Sequence, residues 1–223
     1  MTQQNRNIIL GLVGLIIVVA AIIFIGKHKA AAPTEQEVVQ EATKGWESFE
    51  SGSYNSTADE STLYNASYPK EFEVLKRATA RGGFLGNPLV TFAFPKGAFA
   101  EPKSTFVDGY ATISSSKSKN TEARCYATPD VATGTFTDVI NANGLAFKRI
   151  DATDPGAGNI YTSRIYRTLF NNTCYEVALT VRTANIGNFD EGTVVEFDKE
   201  QAFSILENIR KTFSLTKEQG PMK

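Results

Sequence analysis

The chain is short of the side chains on which most enzymes rely. It holds one histidine, one tryptophan and two cysteines in 223 residues. The histidine, His28, lies between Lys27 and Lys29 at the end of a long apolar segment. That position excludes a Ser-His-Asp triad and a Cys-His pair within the folded domain. No CxxC spacing exists, so a zinc site has no ligand set. Charge of one sign is lacking too, with 23 basic against 24 acidic side chains. No basic tract with interleaved aromatics occurs, which argues against nucleic acid as a partner. Gly82, Gly83 and Gly86 form a glycine-rich patch. Without a Lys-Ser/Thr after it, the patch reads as a turn and not as a phosphate loop.

What the chain does have is a greasy N-terminal run. Residues 8–26 are 19 positions without a charge, about 28 Å as a helix. The hydrocarbon core of a bilayer is about 30 Å thick, so the run predicts a single-pass transmembrane helix that contacts membrane lipid. A cleaved signal peptide is the competing reading. Its apolar stretch spans about 7–15 residues before a small-residue cleavage site. Here the stretch is longer, and Pro33 would follow a cut after Ala30, Ala31 and Ala32. No cysteine follows closely, so a lipid attachment point is missing. Arg6 on one flank and Lys27 with Lys29 on the other leave the charge rule for orientation nearly tied. Outside residues 1–29 the chain carries 20 basic and 24 acidic side chains, a net charge of −4.

Cys125 and Cys174 lie outside the anchor, each in a strand-like run, 123–127 and 174–182. In an exported domain two cysteines suggest one structural disulfide. Two buried free thiols are the alternative. The disulfide reading tips the orientation toward an extracytoplasmic domain.

Behind a polar hinge at 27–33, residues 34–49 predict a helix, with Thr34 and Glu37 as a capping box and Val39, Ala42, Trp46 and Phe49 at helical spacing. Gly45 weakens it. Residues 51–67 are rich in Ser, Thr, Asn and Gly and read as linker. From Tyr68 onward short β-segments dominate: 71–75, 89–94, 106–114, 137–140 and 145–150, with 114–120 as a solvated Ser/Lys loop. The strongest pattern is a hairpin pairing 160–170 with 173–182. A two-residue turn at Asn171 and Asn172 sets Arg167 opposite Glu176 and places Tyr166 and Phe170 on the face shared by Tyr175 and Val177. A three-residue turn would strand Arg167 on the apolar face. Asparagine tolerates the positive φ of such turns. As an ordinary cross-strand pair, Arg167 and Glu176 would contribute roughly 0.2–1 kcal/mol. Asp198 and Gln201 then cap a final helix, 199–213, whose stripe of Ala202, Leu206, Ile209 and Phe213 must cover an apolar sheet face.

The motifs Ala157-Gly158-Asn159, Tyr166-Arg167-Thr168, Cys174-Tyr175-Glu176, the run from Asn188 to Thr193, Glu196-Phe197-Asp198 and the run from Ile209 to Phe213 resemble uncharacterised single-anchor envelope proteins of candidate-phylum bacteria. That resemblance implies an exported domain and supplies no catalytic residue. The layout of antiparallel hairpins closed by a C-terminal helix also resembles the PsbP-like fold. Asp151, Asp154, Asp190, Glu191, Glu196 and Asp198 gather acid late in the chain, but their spacing matches no EF-hand loop. Turn and cap roles account for them.

The reading is an α+β protein: an N-terminal transmembrane helix followed by one domain with a mainly antiparallel sheet packed by a C-terminal helix. Its parts are a membrane anchor at 1–29, a hinge, short helix and linker at 30–67, an extracytoplasmic domain at 68–216 and a flexible tail at 217–223. The expected function is a membrane-anchored, non-enzymatic binding or structural module. It would use no cofactor or metal, and an envelope protein is the partner such a module implies. An envelope hydrolase without a histidine-based site, or a pilin-like subunit, is the alternative.

Overall fold

The computed structural model describes residues 34–51, 62–76, 79–100, 103–140 and 143–217. The 8–26 segment, the 27–33 hinge and the tail beyond 217 lie outside these residues, and the anchor reading with them. Among the described residues no helix is long and apolar enough to cross a membrane.

The protein is α+β, with mainly antiparallel sheets and a C-terminal helix. Helix α1 (Glu35–Ala42) leads into β1 (Glu47–Glu50), β2 (Thr62–Tyr68), β3 (Glu73–Lys76), β4 (Pro88–Ala93) and β5 (Phe106–Ser116). A one-turn helix α2 (Glu122–Cys125) precedes β6 (Thr137–Ile140), β7 (Ala146–Gly156), β8 (Asn159–Phe170) and β9 (Thr173–Ala184). Helix α3 (Lys199–Thr212) and β10 (Ser214–Lys217) close the chain. Seven strands form one sheet in the order β3-β4-β5-β9-β8-β7-β6, and β1-β2-β10 form a second.

The β8–β9 hairpin follows the alternation argument in detail. Asn171 and Asn172 take φ of 48° and 56° in a two-residue turn, and Arg167 stands opposite Glu176. Strand β9 is central, and its residues from Thr173 to Val181 are buried on both faces. Asp198 caps α3 by accepting the Glu200 amide at 3.0 Å. The α3 stripe of Ala202, Phe203, Leu206 and Ile209, with Phe213 beyond it, is at most 1% exposed. It packs on β2, β5 and β9, over a core that includes Phe92, Ile113, Val177 and Leu179.

Five expectations change. The helix expected at 34–49 stops at Ala42, because Gly45 takes φ +80° and turns the chain into β1. Phe49 is then buried from a strand, against Tyr64 and Phe92. Of the linker expected at 51–67, residues 62–67 belong to β2, which is the centre of the small sheet and buries Tyr64, Ala66 and Tyr68. Polar composition hid a period-2 alternation there. The folded unit accordingly starts at Glu35 and not at Tyr68. The strand-like run 123–127 is the helical turn α2, and β5 continues to Ser116, which is buried.

Candidate functional site

The large sheet has two unlike faces. One carries the apolar core under α3. The other presents rows of polar side chains, because alternate residues of β5, β9, β8 and β7 share that face. One row reads Ser114, Glu176, Arg167; the next but one reads Tyr110, Thr180, Ser163, Ala152; the last reads Asp108, Arg182, Tyr161, Asp154. Strands stand about 4.8 Å apart, so the four residues of a row span roughly 14 Å.

The Glu176 row is sealed. Arg167 Nε donates to Glu176 Oε2 at 2.8 Å, and the two side chains are 1% and 0% exposed. Each partner also holds a loop. Arg167 Nη1 donates to the carbonyls of Cys125 at 3.0 Å and Ala127 at 2.8 Å. Glu176 Oε1 accepts the backbone amides of Phe84 at 2.6 Å and Leu85 at 3.3 Å. The pair foreseen as an ordinary cross-strand contact is therefore a buried latch that ties two loops to the sheet. Sequence alternation placed the two charges opposite each other, but it held no sign that loops distant in sequence would cover them.

Cys125 and Cys174 are joined in a disulfide with their Cα atoms 5.5 Å apart. Both are fully buried and pack with Leu85. The bond fixes α2 to the start of β9, next to the Arg167 contacts. The glycine patch lies across the same face. Gly82 and Gly83 take φ of +76° and +79°, and a Cβ on Gly83 would sit 2.6 Å from Ser114 Oγ. Only glycine lets the backbone approach the sheet this closely. The Arg81 carbonyl accepts the hydroxyls of Thr91 and Thr112, which holds the segment down.

Beyond this seal the last two rows open into a cleft of about 180 Å³. Tyr110, Tyr161, Ser163, Thr180 and Asp154 give it hydrogen-bonding groups; Phe84, Val131 and Ala152 give it an apolar wall. Ser163 and Thr180 hydroxyls bond to each other at 2.9 Å, and Thr180 also bonds the Tyr110 hydroxyl. Burial, then the nearby Asp108 carboxylate, pushes the Tyr110 phenol up, so it stays protonated. Arg182 pairs with Asp108 at 2.9 Å and bonds the Tyr161 hydroxyl. A second depression of about 400 Å³ shares Phe84, Val131 and Asp154 with the first and adds Lys119, Asp130 and Arg167.

Of these residues, sequence reading had singled out Arg167 and, within the late acidic group, Asp154. It missed Tyr110, Tyr161, Ser163 and Thr180. The available signal was the polar half of the alternation in β8 and β9, which looks the same whether it faces water or a cleft. The other acids stay apart from the site: Asp151 pairs with Arg149 at 2.8 Å and Asp198 serves as the helix cap. Among the described residues no group of three or more His, Cys, Asp or Glu could hold a metal ion.

No family model and no curated protein matches the chain. Among solved structures it is similar to one from Bacteroides thetaiotaomicron VPI-5482, at 18% identity and a TM-score of 0.38. That match covers 70% of this chain and 46% of the other, so the chain spans under half of that protein's length. It is also similar to LpqN of Mycobacterium tuberculosis, a protein involved in cell envelope biogenesis, at 8% identity and a TM-score of 0.41. There 84% of this chain and 99% of the other are covered.

Proposed function

We propose that the protein is a membrane-held, extracytoplasmic binding module of the cell envelope, non-enzymatic, with the cleft over the polar sheet face as its recognition surface. The observation that carries this reading is a binding surface built before any ligand arrives. The loops that wall the cleft are pinned by the Cys125–Cys174 disulfide and by the Arg167–Glu176 latch. Preorganisation of this kind lowers the ordering cost of binding. The disulfide supports the compartment, since such bonds persist in oxidising surroundings. The uncharged 8–26 segment supports attachment to the membrane.

Two measurements on intact cells test it. A membrane-impermeant maleimide should label Cys125 and Cys174 after denaturation and reduction of the cell surface, and leave them unlabelled without reductant. Labelling that requires cell lysis and no reductant would remove the compartment. A photoreactive benzoylphenylalanine in place of Val131 should give a discrete adduct on irradiation, whereas one at exposed Lys70 should not. Equal behaviour of the two positions would remove the cleft as the recognition surface.

A further inference from the structure

The tyrosines of the cleft already hold cations of the protein itself. The Arg81 guanidinium lies 5.4 Å from the Tyr110 ring centroid, and that of Arg182 lies 5.9 Å from the Tyr161 ring. A cationic ligand would compete with both for the ring faces and meet their positive charge. An anionic ligand would meet the Asp154 carboxylate in the cleft lining. A purely apolar ligand would offer no partner to the Asp154 carboxylate or to the remaining hydrogen-bonding capacity of Ser163, Thr180 and Tyr110, a loss that sites rich in polar groups punish strongly.

We infer that the cleft receives one ring of a neutral, polyhydroxylated ligand of glycan type, with the adjoining depression taking the next unit. This deepens the binding-module reading and rests on it. Hydroxyl groups both donate and accept, and four of the lining side chains, Tyr110, Tyr161, Ser163 and Thr180, are hydroxyls. The Asp154 carboxylate offers two acceptor oxygens to neighbouring hydroxyls of one ring. Phe84 and Val131 from the covering loops, with Ala152 in the sheet floor, supply apolar surface suited to the C–H face of a saturated ring. Size agrees: at about 180 Å³ the cleft lies below the range of drug-sized pockets, on the scale of a single small ring. The second depression touches the first at Asp154, Phe84 and Val131, so a linked second unit has a place to continue.

The test uses the full-length chain in lipid nanodiscs. A panel of methyl glycosides of hexoses, N-acetylhexosamines and deoxyhexoses would be titrated by saturation-transfer NMR and calorimetry, with choline and inorganic phosphate as charged comparators. At least one neutral glycoside should bind saturably through its ring protons. Asp154→Asn, an isosteric change at an exposed strand position, should weaken it at least tenfold, and Val131→Trp should abolish it by filling the cleft. Lys70→Ala should leave it unchanged. If Val131→Trp fails to fold, Asp154→Asn decides alone. Unchanged affinity in Asp154→Asn, or choline or phosphate binding with the same sensitivity to that change, overturns the glycan inference. Silence across the panel while residue 131 still yields its adduct in cells also overturns it and leaves the binding-module reading standing. Silence together with loss of that adduct removes both.

Discussion

Removing the Arg167 guanidinium would leave the Glu176 carboxylate buried without its counter-charge, which typically costs 3–5 kcal/mol. Arg167→Ala should lower stability by about that amount in urea unfolding. Many buried ion pairs can be replaced by apolar side chains without loss. This one should resist that exchange, because Arg167→Met with Glu176→Leu would orphan the Phe84 and Leu85 amides and the Cys125 and Ala127 carbonyls. Each buried unpaired group costs about 1–3 kcal/mol, so the double variant should stay well below the native protein in the same measurement. Gly83 and Gly86 separate two effects at the scale of one atom. Both take positive φ, but a Cβ on Gly83 would run into Ser114 while one on Gly86 meets nothing within 4 Å. Gly83→Ala should therefore lower the melting temperature clearly more than Gly86→Ala, which bears only the backbone strain of about 1 kcal/mol.

At the scale of the element, the covering loops depend on the strands beneath them. The disulfide joins positions 49 apart in sequence and should contribute about 2–4 kcal/mol. Replacing Cys125 and Cys174 by serine should cost that much by urea unfolding. Hydrogen exchange should rise first in residues 119–132, where α2 and the wall of the cleft lie, and last in β8 and β9. Elements with a long apolar period were readable in the sequence: β4, β5, the β8–β9 hairpin and α3. Their burial pattern is their amino-acid pattern, since a strand with one face on a core must alternate and a helix on a sheet must carry a stripe. Elements with little apolar content were not. In β2, Ser and Asn between Tyr64, Ala66 and Tyr68 made a central strand look like linker. In α2, four residues are too few for any period, and the disulfide and Arg167 set the conformation from outside.

For the whole molecule, buried phenols set a limit on the alkaline side. Burial is the leading cause that raises Tyr68, Tyr110, Tyr126 and Tyr166 above their ordinary value, and Glu207 adds to it at Tyr166. As pH climbs past about 10, unfolded tyrosines lose protons before folded ones do, so stability present below that pH declines above it. Urea midpoints should hold steady near pH 8 and fall between pH 10 and 11. Tyr166→Phe should lower the midpoint at pH 8, through loss of the bond to Glu207, yet make the alkaline fall shallower. The α+β class, the register of the β8–β9 hairpin and the helix that covers it are legible in the amino-acid pattern, because they rest on local periodicity and on turn chemistry within a few residues. The same pattern carries a 19-residue uncharged segment. The folded chain alone reveals that the second face of the sheet is roofed by loops from residues 81–85 and 119–132, that one ion pair latches both, and that a hydroxyl-lined cleft opens beyond them. Those contacts join residues up to about ninety positions apart, and a polar side chain in an alternating strand has the same sequence signature whether water, a buried partner or a ligand site lies above it.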